Sequence, residues 1–230
     1  MGTNITGNRF LLISLLILSV FLTDQNILFA GDKPTSKNIK FKLFPSNYFT
    51  TYNVSADLTG SDNQGNSYTG TLQEKTFSKT KYLGKSAIPV KTVMGFVMSS
   101  GYGTASLENY YSAKGKNIHF LGVSGDIETV SAKTFAIPDT AKIGRSGKIG
   151  TYTDKRNFKT NLSWQLEDGF NGKAKFIILN KTTKPSGVLD NTFKTTYLIQ
   201  KNGKRDAVEL ETYNDTVKIR MTLKGTYKKQ

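Results

Sequence analysis

His119 is the only histidine in 230 residues, so any serine triad or histidine-based metal site would have to be built around it. No G-x-S-x-G turn supports such a role. Within Ile118–Leu121 it alternates as a strand residue, which is the place of a structural side chain rather than of a catalytic base. Carboxylates are the other candidates for acid–base work. Glu209 and Glu211, and likewise Asp126 and Glu128, stand two apart. On a strand each pair would share one face at a separation of about 7 Å, a spacing that could serve glycoside chemistry. Such pairs arise on any solvated strand face, and Lys204 and Arg205 offer the first pair ordinary charge partners. No catalytic residue is named from the sequence.

One local constellation is suited to an anion. Residues 143–150 read Ile-Gly-Arg-Ser-Gly-Lys-Ile-Gly, where Gly144, Gly147 and Gly150 free the backbone to turn its amides towards one point. Arg145, Ser146 and Lys148 add two cations and a hydroxyl, and these are the candidate ligand-binding residues. The G-x-x-x-x-G-K-[ST] spacing of a nucleotide phosphate loop is not met. The plainer alternative is a flexible crossover between two β halves.

Metal and cofactor chemistry find little support. Cysteine is absent, which excludes disulfide scaffolds, zinc–thiolate clusters, thiol enzymes and the cysteine-linked lipid of bacterial lipoproteins. Asp62 in the run Asp-Asn-Gln-Gly-Asn is a single carboxylate in a hairpin turn, a poor site for calcium. No metal and no cofactor are expected.

The charge is one-sided: 32 Lys and Arg stand against 17 Asp and Glu, a formal net charge of +15. The cations lie on turns and solvent faces, at Lys79, Lys81 and Lys85, at Lys114 and Lys116, at Lys155, Arg156 and Lys159, at Lys201, Lys204 and Arg205, and at Lys218, Arg220 and Lys224. They protect sheet edges and keep the chain soluble. They also suit anionic partners outside the cytoplasm, namely anionic lipid or polysaccharide. No aromatic residues interleave with them in a nucleic-acid motif.

Phe10 to Leu22 is an apolar run broken only by Ser14 and Ser19 and preceded by Arg9. It is shorter than the roughly 20 residues a spanning helix needs and reads as a cleaved signal peptide over residues 1–30, with Leu28 and Ala30 before the cut. The segment carries one cation, Arg9, and one anion, Asp24, so the net charge belongs to the mature chain. Export without disulfides points to a bacterial periplasm, outer surface or medium, with no transmembrane segment in the mature chain.

These residues need a scaffold, and the period of the chain supplies one. Residues 31–46 are polar and basic and are expected to be an N-terminal tether or edge segment. From residue 47 onwards the period is two, as in Tyr52, Val54, Ala56 and Leu58, or Leu162, Trp164 and Leu166, or Val217, Ile219, Met221 and Leu223. Val93 and Val97 opposite Thr92, Met94 and Phe96 suggest a strand covered on both faces. Residues 102–112 suit a strand or a short helix, with strand preferred. Turns fall at 60–66, 169–172 and 214–215, and Asn202-Gly203 is a two-residue hairpin signal. The expectation is one all-β domain over 47–230, an antiparallel meander forming a curved sheet, barrel or sandwich.

The function expected is a non-catalytic envelope protein binding an amphipathic or anionic ligand, with Tyr52, Phe96, Trp164, Phe176 and Tyr197 as candidate cavity residues and cations at the rim. The alternatives are a structural or attachment protein of the cell surface, and a secreted hydrolase using carboxylates.

Overall fold

The computed structural model describes residues 33–98, 101–114, 117–125 and 128–228. The apolar run at 10–22, Lys116 and Asp126 lie outside them. Alternation becomes strand throughout: β1 (Lys40–Lys42), β2 (Asn53–Asp62), β3 (Ser67–Thr76), β4 (Thr80–Tyr82), β5 (Lys85–Met98), β6 (Gly101–Lys114), β7 (Asn117–Gly125), β8 (Thr129–Thr134), β9 (Ile137–Pro138), β10 (Thr140–Lys142), β11 (Ser146–Asp154), β12 (Lys159–Asp168), β13 (Ala174–Thr183), β14 (Leu189–Ile199), β15 (Arg205–Asn214) and β16 (Ile219–Tyr227). Residues 102–112 lie in β6, as strand. The last strand starts later than its period suggests, because Val217 belongs to a turn in which Lys218 takes a φ of 56°.

The large sheet is antiparallel and runs β8-β11-β12-β13-β14-β15-β16-β2-β3-β5-β6-β7-β9, with β4 on β5 and a separate β1–β10 pair. Consecutive hairpins build most of it, and β16 returns beside β2 through the Met221↔Asp62 to Tyr227↔Ala56 register. The sheet is rolled but not closed. Glu74 on β3 touches Tyr197 on β14 and Arg205 on β15, although β16 and β2 stand between β15 and β3 in the order. Only a sheet curled on itself brings those strands face to face.

Past the two-residue β9, which pairs only with Asn117 and Ile118, the free edge of β7 meets the edge strand β8 without a ladder, and side chains replace the missing backbone bonds. Val123 N–H donates to Thr129 Oγ1 at 3.1 Å, and the Tyr152 hydroxyl donates to Phe120 O at 2.7 Å. The Tyr82 hydroxyl lies between the two edges, with Val123 O at 3.1 Å on one side and Thr129 O on the other. Unpaired backbone groups in a sheet interior are costly, so these donors and acceptors hold the seam. Outside the roll, Tyr82 stacks on Tyr110 at 4.1 Å and packs with Ala87 and Leu121 in a second small cluster. Cover on the outer face of β5 thins beyond that cluster, where Val93 and Gly95 are half-buried. Val97 is 52% exposed, which corrects the expectation of a strand covered along both faces.

The segment 31–46 also needs correction: its described part, from Lys33, is not a tether. Phe41, Leu43 and Phe44 are buried in the core, and β1 pairs with β10 through Lys40↔Lys142, Phe41↔Ala141 and Lys42↔Thr140. Phe44, Tyr48, Phe49 and Tyr52 then cross one end of the roll as an aromatic cap, with rings 4.9–5.2 Å apart. Burying each such side chain contributes about 1.5–3 kcal/mol. The hairpin between β14 and β15 closes over this cap. Gly203 there has a φ of 84°, and a Cβ would come within 2.4 Å of Phe44 O, so the position accepts only glycine.

Candidate functional site

Inside the roll the cap leaves a cavity of about 380 Å³, near the lower end of the range for small-molecule sites. Its walls come from strands all round the sheet, and the registers of β12, β13 and β14 set the layers of inward-facing side chains, of which Trp164, Leu166 and Phe176 pack behind the wall. Thr160, Thr182 and Asn191 form the outermost layer; Leu162, Asn180 and Phe193 the next; then Trp164, Ile178 and Thr195; and finally Leu166, Phe176 and Tyr197. The side chains facing inward therefore pass from hydroxyls and amides at the mouth through a mainly apolar middle, with Thr195 among it, to a polar floor. At the mouth, Thr160 and Thr182 share a hydrogen bond of 3.0 Å, and Asn180 Oδ1 is buried without a partner. Arg156 stands there with its guanidinium and backbone N–H on Asp154, at 2.7–2.9 Å. Burial alone would raise the Asp154 carboxyl, but the hydrogen bonds from Arg156 and Phe158 hold it below its usual value.

The floor is a buried ion pair in a cage of tyrosines. Arg205 Nη1 donates to Glu74 Oε2 at 2.7 Å, and both residues are almost fully buried, at 4% and 2% exposure. The Tyr227 hydroxyl donates to Glu74 Oε2 at 2.7 Å and the Tyr197 hydroxyl to Oε1 at 3.3 Å. The guanidinium lies 3.7 Å from the Tyr197 ring centre, 4.7 Å from Tyr48 and 5.5 Å from Tyr52. Burial is the leading cause that raises the pKa of each of these tyrosines, with Glu74 adding to it, so all stay neutral. Tyr197 and Tyr227 donate to Glu74, while the Tyr52 hydroxyl is buried without a partner. With its carboxylate oxygens occupied by structural donors, Glu74 holds the floor together and has no free role as a general base.

The other residues singled out by sequence lie elsewhere. Arg145, Ser146 and Lys148 are exposed at the closed end, where β10 passes to β11. Gly144 N–H donates to Leu166 O at 2.7 Å and Arg145 N–H to Lys142 O at 3.1 Å, so those amides already serve the backbone. A Cβ on Gly147 would meet the Trp164 indole at 2.8 Å, which makes this glycine a packing partner. His119 is half-buried on β7 opposite Ser112. Glu209 and Glu211 pair across the sheet with Lys224 and Lys194, and Glu128 pairs with Lys155. Asp62 accepts bonds from Gln64, Asn66 and Tyr68 in its turn. Among the described residues no group of His, Cys, Asp or Glu large enough to hold a metal gathers.

Of the five candidate cavity residues, Tyr197 lines the space; Tyr52, Phe96, Trp164 and Phe176 are buried packing. Sequence reading missed Glu74 and Arg205. Glu74 does carry a signal, since it shares the phase of Tyr68 and Leu72. Arg205 carries none, because a register shift opposite Leu198 and Ile199 breaks its phase with Val208.

No protein-family model matches the chain, and no curated protein does. Two solved structures are similar. A protein of Bacteroides fragilis, described as exported and with a YmcC-like fold, shares 12% identity at a TM-score of 0.36 over 82% of this chain and 100% of its own. A protein of Parabacteroides distasonis, described as a lipoprotein, shares 11% identity at a TM-score of 0.37 over 82% and 99%. At these values no residue role passes from either protein to this chain.

Proposed function

We propose that this is an exported bacterial envelope protein that holds one amphipathic molecule inside its rolled sheet, apolar part inward and polar part at the mouth. The layering of the cavity wall carries the reading: Thr160, Thr182 and Asn191 outermost, Leu162, Asn180 and Phe193 beneath, Tyr197 at the floor. The space is mostly apolar, the floor's charges are spent on one another and on their tyrosines, and the free polar groups stand at the mouth, which suits a ligand with an apolar body and a polar head. The apolar run Phe10–Leu22 supports export. The outer face of the roll is polar, with Asn53, Asp57, Thr59, Thr69, Thr71, Gln73 and Lys75 exposed on β2 and β3, whereas a membrane barrel needs an apolar outer band there.

Mass spectrometry of organic extracts from natively purified protein tests the reading, followed by titration with a soluble single-chain amphiphile in vesicle-free buffer. Retention of an amphiphile, or saturable binding at one site, is expected. A protein that retains nothing and binds no amphiphile would overturn it.

A further inference from the structure

The cations of this chain gather at both ends of the roll, and among the described residues the largest contiguous unpaired set lies at the closed end. Round the mouth four are ion-paired, Lys155 with Glu128, Arg156 with Asp154, Lys184 with Asp190 and Lys218 with Asp215, while Lys159, Lys181 and Arg220 are exposed without an ion pair among the described residues. At the closed end Lys173 pairs with Asp206, but a larger neighbouring set is unpaired. Lys40, Lys42, Lys142, Arg145, Lys201 and Lys204 are all exposed, and none forms an ion pair among the described residues. The fold makes them contiguous. The β1–β10 ribbon turns Phe41 and Ala141 into the core and leaves Lys40, Lys42 and Lys142 outward. Arg145 N–H bonds Lys142 O, and Lys42 N–H bonds Lys201 O, which brings the 201–204 hairpin alongside.

One contact within this face works against the fold. Lys40 and Lys142 are directly opposite in the antiparallel register, and like charges so placed destabilise a sheet. Solubility alone would be served by these lysines anywhere on the surface, whereas their cross-strand opposition concentrates charge on one flat patch.

We infer that the closed end is a docking face for an anionic lipid bilayer. The chemistry favours a charged surface over a pocket. Lysine dominates, and its compact ammonium acts as a point charge, whereas specific capture of a phosphate or carboxylate favours the two-pronged guanidinium. Each Lys or Arg held near an anionic lipid surface contributes about 1 kcal/mol, which is about fivefold in binding, so a face gathering several of them is attracted to it as a unit. The aromatic residues beneath, Phe41, Phe44 and Tyr48, are buried, so they offer no exposed ring on which nucleobases could stack. Docking by this end leaves the cavity mouth facing away from the bilayer. The inference rests on the envelope reading but not on the cavity being filled, and vesicle binding and amphiphile binding can each fail alone.

The test uses residues 31–230 with vesicles of phosphatidylcholine, alone or mixed with phosphatidylglycerol, in co-sedimentation at low and high salt. Binding to the mixed vesicles only, weakened by salt, is expected. Lys40→Gln/Lys142→Gln and Lys201→Gln/Lys204→Gln should each weaken it, by about fivefold for each charge removed. Lys155→Gln/Lys218→Gln removes the same charge at the mouth and should leave it unchanged. Lys40→Gln/Lys142→Gln should also melt at or above the temperature of the parent protein, which separates loss of binding from loss of fold. Equal losses from both ends would overturn the inference in favour of diffuse net charge. Capture by a soluble acidic polysaccharide with no vesicle binding would replace the bilayer as partner.

Discussion

Arg205 and Glu74 are 131 residues apart in sequence and joined by a 2.7 Å charge-assisted bond on the cavity floor. Removing one partner leaves the other charge buried and unpaired, which costs about 3–5 kcal/mol. Arg205→Met should therefore lose most of the protein's stability in urea denaturation. Glu74→Leu combined with Arg205→Met should lose less than the sum of the single changes, because the uncompensated charge disappears with its partner. Additive losses would mean that packing, not the pair, sets the cost.

The same cage predicts alkaline lability. Burial raises Tyr48, Tyr197 and Tyr227 well above 10.0, and Tyr52 to about 12. A group whose folded pKa is raised gives stability that is complete below its unfolded value, here 10.0, and is lost as pH rises towards the folded one. Stability should hold to about pH 10 and then fall steeply, with these phenols ionising together as the chain unfolds. Phenolate absorbance and circular dichroism followed on one pH ramp check this. Smooth tyrosine titration near pH 10 without unfolding would show that the cage is open to water.

The seam between β7 and β8 gives a third prediction. Tyr82→Phe keeps the ring on Tyr110 but removes the hydroxyl between Val123 O and Thr129 O. The expected loss is about 1–3 kcal/mol, with faster amide exchange at Val123 than in β13 or β14. Unchanged exchange there would mean that the edges are held by packing alone.

Trp164 reports the inward phase of β12. Its sequence neighbours Asn161, Ser163 and Gln165 point the other way, and the indole is 6% exposed. Its emission should be that of a buried indole, and Trp164→Ala should cost about 3–5 kcal/mol. Gly147→Ala should shift the emission towards that of water, since the new methyl would fall 2.8 Å from the indole nitrogen.

Residues such as Leu162, Trp164 and Leu166 made the strands legible because one face of each is wet and the other dry over several repeats. The strand within the supposed tether is too short for that signal: Phe41 has only Lys40 and Lys42 beside it in β1. Its burial depends on Ala141, a hundred positions away in register. The cavity stayed hidden for the same reason. Which of Phe96, Trp164, Phe176 and Tyr197 borders space and which fills core is decided by strand order and by how tightly the sheet rolls, and neither is written in any local period. Arg145, Ser146 and Lys148 were conspicuous as a loop, yet Gly147 there serves the Trp164 packing, and the cations opposite and alongside come from β1, β10 and the 201–204 hairpin.

The cavity reading meets its sharpest test in a substitution that fills the space without touching the floor. Leu162 lies on β12 opposite Asn180, one layer below the Thr160 and Thr182 hydroxyls. A larger side chain in a packed core costs about 1–3 kcal/mol through displaced neighbours, but at Leu162 the added volume can enter the roughly 380 Å³ already present. Leu162→Trp should therefore keep the parent circular dichroism spectrum and nearly its melting temperature while losing amphiphile binding in vesicle-free buffer. Thr160→Val/Thr182→Val leaves the apolar depth intact and removes the hydroxyls at the mouth. It should weaken an amphiphile with a hydrogen-bonding head group more than an alkane-like probe of equal length. If Leu162→Trp binds the amphiphile as the parent does, the ligand is not in this cavity, and the layered wall is only the inner face of a loosely filled roll.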